Sequence, residues 1–229
     1  MIGLFTLKID FLIKETIILE AYKLLSAERI EFLKKYVHKE DLLRGLYSSI
    51  LSRALISRYL KIPNSKIIFD FNKYSKPFLA GFENFHFNTA HSGDYAVCAV
   101  SDTPVGIDIE EIKPIDLNVA EYAFSEFEYK ELIKKKNEDQ LDYFYNIWVL
   151  KESYIKAIGT GLYTELKSFY FELSDNNVKI HNSNNDNFLH FRIYDCFSGY
   201  KCSICSENII SCINPEILNF SCLINELKN

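Results

Sequence analysis

Between residues 39 and 60 the apolar side chains Leu43, Leu46, Tyr47, Ile50, Leu51, Ala54 and Leu55 recur at the spacing of one helical face. A second helical stretch, residues 141–158, stops at Gly159, where glycine can take the left-handed turn that ends a helix. Short β-rich runs follow each: 66–71, 85–89 and 95–100 after the first, and 169–172, 179–181, 190–194 and 200–205 after the second. This order predicts an α+β chain in two halves that change over near Thr103-Pro104, with no sequence repeat relating them. Smaller elements fill the gaps. Residues 3–18 read as a strand with further extended chain, and a short helix opens at Ser26 and runs to about Val37. Residues 74–77 and 90–94 read as turns, 134–139 as a solvated helix end and 182–187 as a polar loop. Ser125 and Glu128 form a capping box that starts a helix running to about Lys135.

Composition limits the function classes. The 229 residues include 18 Phe and 15 Tyr against only 8 Gly and 5 Pro, enough for a sizeable core and unlike disordered or collagen-like chains. A net charge of −5 argues against nucleic-acid binding through global charge, while a local basic pocket for a small anion stays open. No apolar run is long enough to span a membrane, and Lys8 interrupts the N-terminus before a signal-peptide core forms, so a cytoplasmic protein with no membrane association is expected. Five of the six cysteines lie from Cys196 onward, and reduced thiols are expected. Cys202 and Cys205 sit three apart on an expected strand and point to opposite faces, which with no second pair disfavours a zinc or redox role.

Three segments carry chemistry. Asp108 and Glu110 alternate with apolar residues in Val105-Gly106-Ile107-Asp108-Ile109-Glu110, so both carboxylates leave one strand face with α-carbons about 6.6 Å apart. Two hard oxygen donors suit magnesium against a phosphate better than structural zinc, although an isolated pair more often sits on a wet strand face. Trp148, Glu152 and Lys156 stack at four-residue steps on one helix face, beside the chain's only tryptophan. In Phe87-Asn88-Thr89-Ala90-His91-Ser92-Gly93 a strand leads into a turn with His91 at its tip, where turn amides and an imidazole can hold a phosphate. Arg44, and Lys76 in Tyr74-Ser75-Lys76-Pro77, supply cations upstream.

The order of these three motifs resembles the 4′-phosphopantetheinyl transferases of the larger, surfactin-synthetase-activating (Sfp) type. The likeness extends to residues 38–41 and 74–77 and loosely across nearly the whole chain. It implies a pseudo-dimer of two similar α+β subdomains, residues 1–104 and 105–229, with coenzyme A in the cleft between them. It also implies Mg²⁺, with Mn²⁺ as the other choice, held by Asp108, Glu110 and Glu152. Glu152 and Lys156 are then catalytic: the first a ligand and candidate base, the second acting on the leaving phosphate. Coenzyme A would be held by Arg29, Arg44 and His91 at its 3′-phosphate, by Lys76 and Pro77 at its adenine, and by Thr89, Ala90, Asp108 and Lys156. The partner is an apo acyl or peptidyl carrier protein, and the resemblance implies a monomer.

Two positions depart from the family pattern: Ala90 stands where many relatives carry serine, and Phe32 where some carry a lysine. Residues 117–136, with Phe124, Tyr129 and Lys134–136, are expected to meet the carrier. A non-catalytic module that binds coenzyme A or carriers is the alternative, and it expects a damaged carboxylate set. Here Asp108, Glu110, Glu152 and Lys156 are all present.

Overall fold

A computed structural model describes residues 2–174, 177–182, 188–195, 197–210 and 214–228. Residues 183–187 of the expected polar loop, Cys196 and Cys212 lie outside the described residues.

The first half runs β1 (Ile2–Lys8), α1 (Glu15–Tyr22), α2 (Ala27–Leu33), α3 (Lys39–Leu60), β2 (Phe69–Phe71), β3 (Pro77–Leu79), β4 (His86–Ser92) and β5 (Tyr95–Ser101). The second runs β6 (Val105–Glu111), α4 (Ala120–Ala123), α5 (Glu126–Lys134), α6 (Asn137–Ile158), β7 (Tyr170–Ser174), β8 (Asn177–His181), β9 (His190–Tyr194) and β10 (Tyr200–Ser206). The chain then returns to the first half through β11 (Glu216–Leu218) and α7 (Phe220–Lys228). One sheet has the order β11-β1-β5-β4, antiparallel except that β11 lies parallel to β1; the other is antiparallel β6-β10-β9. β2-β3 and β7-β8 are separate two-stranded ribbons.

Strand alternation divides the apolar residues among three cores. On β5, Ala96, Cys98 and Val100 face α3, where Leu46, Ile50, Leu51 and Leu55 are fully buried. Val97 and Ala99 face the other way and meet Val105, Ile107, Ile109, Cys202 and Ile204 of the second half. Behind that sheet α6 buries Leu150, Tyr154 and Ile155 in a core that takes in Phe171 and Cys205. Each fully buried aliphatic or aromatic side chain contributes about 1.5–3 kcal/mol, so the central core holds the halves together by apolar contact. Cys202 and Cys205 point into different cores, as their spacing on one strand requires. The two-part α+β architecture is therefore as expected: a 22-residue helix backs a sheet in each half, and the sheets' other faces meet between them.

Several boundaries differ from the sequence reading. The extended chain expected up to Ile18 is instead helix α1, because Ile18 and Ala21 share one face and bury against the first core. α2 stops at Leu33 and leaves Val37 exposed, and α6 begins at Asn137, not Leu141. Residues 90–92 are not a turn: they pair with 95–97 of β5, so Gly93 and Asp94 alone make the hairpin. Residues 216–228, which the sequence grouped with the second half, pack on β1 and α3. No described helix is long and apolar enough to cross a membrane.

Candidate functional site

β6 is the outer strand of its sheet, and its free edge lies against β4. Side chains from β4 satisfy two of its backbone N–H groups. Asn88 Oδ1 accepts from Ile107 N at 2.9 Å, and Ser92 Oγ accepts from Glu111 N at 3.1 Å. One face of β6, carrying Ile107 and Ile109, enters the central core, so the opposite face presents Gly106, Asp108 and Glu110 to α6. Gly106 sets how close they come: a Cβ there would stand 2.0 Å from Ser153 O and 2.4 Å from Ala157 N. Strand and helix touch backbone to backbone, as only glycine permits. Glu152 and Lys156, one helical turn apart on α6, are thereby brought to the carboxylates.

Lys156 Nζ donates to Asp108 Oδ1 at 2.5 Å, with the carboxylate side chain 5% exposed and the lysine 28%. Asp108 Oδ2 is buried with no hydrogen-bond partner. Burial raises the Asp108 carboxyl above the usual carboxylate range even though Lys156 opposes it. Burial, then repulsion from Asp108, pushes Glu110 up to about 7, although Ser92 Oγ donates to its Oε2 at 2.9 Å. Glu152 is raised by burial and by Asp108. Lys156 would lose its proton more readily through burial alone, but Asp108, Glu152 and Glu110 hold it above the usual lysine value. Three carboxylates thus share one lysine and each holds its proton more tightly than usual, and one buried oxygen has no donor.

That donor set fits a hard divalent cation, which carboxylate oxygens bind and which would relieve the repulsion. Among the described residues no three His, Cys, Asp or Glu side chains are set close enough to form a finished metal cluster. Lys156 Nζ takes Asp108 Oδ1 and Ser92 Oγ takes Glu110 Oε2, which leaves Asp108 Oδ2 as the buried oxygen without a donor.

The expected cations lie on the other side of β4. His91 is in the strand, opposite Ala96, and not at a turn tip, because the ladder continues through Ser92. Its ring is held down to about 4 by the surrounding protein, then by Lys156, and further by Arg44 and Arg29, so it is neutral near pH 7 in a cationic setting. Arg29 donates from Nε to Ser49 Oγ at 2.9 Å and from Nη2 to Gly45 O at 3.3 Å, and its guanidinium lies 5.1 Å from the Phe32 ring. Arg44 donates to Gly93 O at 2.9 Å and pairs with Asp41 at 2.7 Å. Thr89 is half-buried opposite Cys98. The Ala90 methyl points into the central core, away from the face of His91, so a serine hydroxyl at this position would point there too. Lys76 and Pro77 lie apart, where the β2–β3 turn meets the end of α6.

Sequence reasoning missed Asn88 and Ser92 as the joint between the halves; their signal was polar residues alternating on a strand otherwise bound for the core. It also missed Lys151, whose ammonium is buried 2.8 Å from Glu128, the residue that closes the capping box of α5. Of the two lysines in residues 148–156, Lys151 is structural and Lys156 reaches the carboxylates. The expected carrier face is altered as well. Phe124 is 1% exposed and belongs to the second core and Lys134 pairs with Glu131, while Tyr122, Phe127 and Ile133 are the exposed apolar side chains of this segment and Lys134–136 stay exposed beside them.

Fold and site define a two-part α+β molecule in which carboxylates and a lysine of one half face the cationic edge of the other, a setting for a phosphate ester. Two family models cover these halves. Residues 14–103 match the N-terminal region of 4′-phosphopantetheinyl transferases, and residues 104–205 match the 4′-phosphopantetheinyl transferase superfamily. The chain is 40% identical over 181 residues to the 4′-phosphopantetheinyl transferase gsp of Aneurinibacillus migulanus, covering 79% of this chain and 76% of that protein. It is 39% identical over 185 residues to the 4′-phosphopantetheinyl transferase Sfp of Bacillus subtilis, covering 80% and 83%. To psf-1 of Bacillus pumilus it is 37% identical over 205 residues, covering 89% and 85%. The chain belongs to the 4′-phosphopantetheinyl transferase family, with relatives of the Sfp type.

Proposed function

We propose that this chain transfers the 4′-phosphopantetheine group of coenzyme A to a serine hydroxyl of an apo carrier protein, acting in the cytoplasm as a monomer. The observation that carries the reading is the meeting of Asp108 and Glu110 on β6 with Glu152 and Lys156 on α6, with Asp108 Oδ2 buried and unpartnered.

In the reaction the serine oxygen bonds to the β-phosphorus of coenzyme A, and the bond from that phosphorus to the bridging oxygen breaks. Adenosine 3′,5′-bisphosphate leaves. Glu152 is the base we assign to the serine proton, since it lies one helical turn from Lys156 on the face of α6 that meets the carboxylates of β6. Lys156, held protonated by three carboxylates, faces the charge that grows on the leaving phosphate and can supply its proton. Asp108 fixes the lysine's position through Oδ1. Arg29, Arg44 and His91 anchor the 3′-phosphate on the first half, which orients the pyrophosphate toward the carboxylates. Asp108, Glu110 and Glu152 are the residues that would hold Mg²⁺, which neutralises pyrophosphate charge when bound.

The test is the intact mass of an apo carrier protein incubated with this chain, coenzyme A and Mg²⁺. One phosphopantetheine is expected to be added, and Glu152→Gln is expected to add none while still binding coenzyme A. Binding without transfer by the unmodified chain, across several carriers, would turn the reading toward a regulatory module.

A further inference from the structure

The turn between β2 and β3 crosses from the first half to the C-terminal end of α6. Asn72 Nδ2 donates to Gly159 O at 2.8 Å. Lys76 Nζ donates to Ala157 O at 3.1 Å and to Val105 O at 3.3 Å. The Tyr74 ring lies 5.1 Å from that of Tyr163, just beyond the helix. The last carbonyls of a helix have no partner within it, and here two carbonyls at or beside the helix end take donors from the opposite half. The packing is close: a Cβ on Gly159, at φ +73, would lie 2.9 Å from Lys76 Cδ and 3.1 Å from Asn72 Nδ2. Asn72 Oδ1 meanwhile accepts from the backbone N–H groups of Tyr74 and Lys76, both at 2.9 Å, so one side chain both shapes the turn and docks it.

We propose that this turn is a latch that positions the catalytic helix, with Asn72 and Lys76 as positioning residues for Glu152 and Lys156. Ala157 follows Lys156 directly, and Val105 precedes Gly106, the residue that sets the distance between β6 and α6. Lys76 therefore ties strand and helix together at their crossing, beside the pair formed by Lys156 and Asp108. Burial that pushes Lys76 down to about 8 accords with an ammonium enclosed by protein. Anything seated on the turn is then coupled to the reacting groups through the helix end.

This inference rests on the transferase reading, and the experiment separates the two. Asn72→Asp keeps the oxygen that shapes the turn and loses the donor to Gly159. Lys76→Met loses both carbonyl contacts, and Lys76→Arg restores donors. The measurements are kcat and KM for coenzyme A, its Kd by calorimetry, the melting temperature, and amide hydrogen exchange over residues 155–159. In Asn72→Asp a fall in kcat of tenfold or more is expected, with the Kd within threefold and exchange over 155–159 at least tenfold faster. Lys76→Met is expected to lose a similar part of kcat, and Lys76→Arg to recover much of it. A rise in KM with kcat unchanged would make the turn a ligand contact only. A lower melting temperature with kcat kept would make it ordinary structure, and unchanged exchange would also overturn the latch. An unmodified chain that transfers nothing refutes the transferase reading, while the exchange measurement still decides the latch.

Discussion

Replacing Gly106 with alanine adds one methyl group at the point where β6 and α6 touch. That methyl would stand 2.0 Å from Ser153 O and 2.4 Å from Ala157 N, and both are backbone atoms that no rotamer change can move. Reaching the ordinary contact of 3.4 Å requires the helix to back away by about 1.4 Å. Overpacking of this kind costs about 1–3 kcal/mol, or roughly 2–12 °C of melting temperature in a chain of this size. The functional loss should be larger. Asp108 and Glu110 ride on the strand while Glu152 and Lys156 ride on the helix, so the same movement opens the 2.5 Å contact between Lys156 and Asp108. A misplacement of about 1 Å in a catalytic array can cost about 100-fold in rate. The expected outcome is a fall of about 100-fold or more in kcat/KM for transfer to a carrier, followed by intact mass. Coenzyme A affinity should fall by less than the rate, because the 3′-phosphate anchors Arg29, Arg44 and His91 lie on neither element and only Asp108 and Lys156 move with the strand and helix. A Gly106→Ala protein with the unmodified rate and melting temperature would refute the claim that this contact sets the site.

His91 is held down to about 4, and a phosphate beside it would raise that value, so coenzyme A binding should take up a proton. This contribution to affinity is fully present below the free-state pKa and is lost as pH rises through the bound-state pKa. Calorimetry at pH 6 in buffers of different ionisation enthalpy reads the uptake, which His91→Gln should abolish. Glu110, raised to about 7, keeps a proton in the folded state that the unfolded chain releases from about 4.5 upward. The metal-free protein should therefore lose stability as pH rises from about 4.5 to 7; thermal melts should show Mg²⁺ offsetting that loss and Glu110→Gln flattening the slope. Glu128→Ala leaves the Lys151 ammonium buried with the Leu166 and Phe169 carbonyls but no counter-charge and removes half of a capping box, costing about 3–5 kcal/mol in urea unfolding.

Much of this site is legible in the sequence because strands and helices keep strict side-chain periods. Asp108 and Glu110 two apart on a strand, and Glu152 and Lys156 four apart on a helix, must share a face whatever surrounds them. All of α3, α6 from Leu141 onward and β9 could be read for the same reason, from an apolar repeat and from a β-rich run. What stayed hidden depends on partners distant in the chain. α1 reads as extended because Ile17 and Ile18 favour strands, and only packing in the first core makes it helical. His91 reads as a turn residue because Ser92-Gly93-Asp94 is turn-prone, yet β5 extends the ladder through Ser92.

The positions hardest to read are those that join one half to the other. Asn88 and Ser92 supply acceptors to the open edge of β6, and Asn72 and Lys76 supply donors to the open end of α6. In both places one half satisfies backbone groups that the other half cannot satisfy within itself. Apolar packing in the central core would tolerate small slips between the sheets, because it has no direction. Hydrogen bonds at a strand edge and a helix end have direction, and they fix the angle and distance at which carboxylates of one half face cations of the other. The halves are thus held by apolar area, and four polar side chains, Asn88, Ser92, Asn72 and Lys76, align β6 and α6 with the first half. Substitutions at those four should cost more in rate than in stability, while substitutions in the central core should do the reverse.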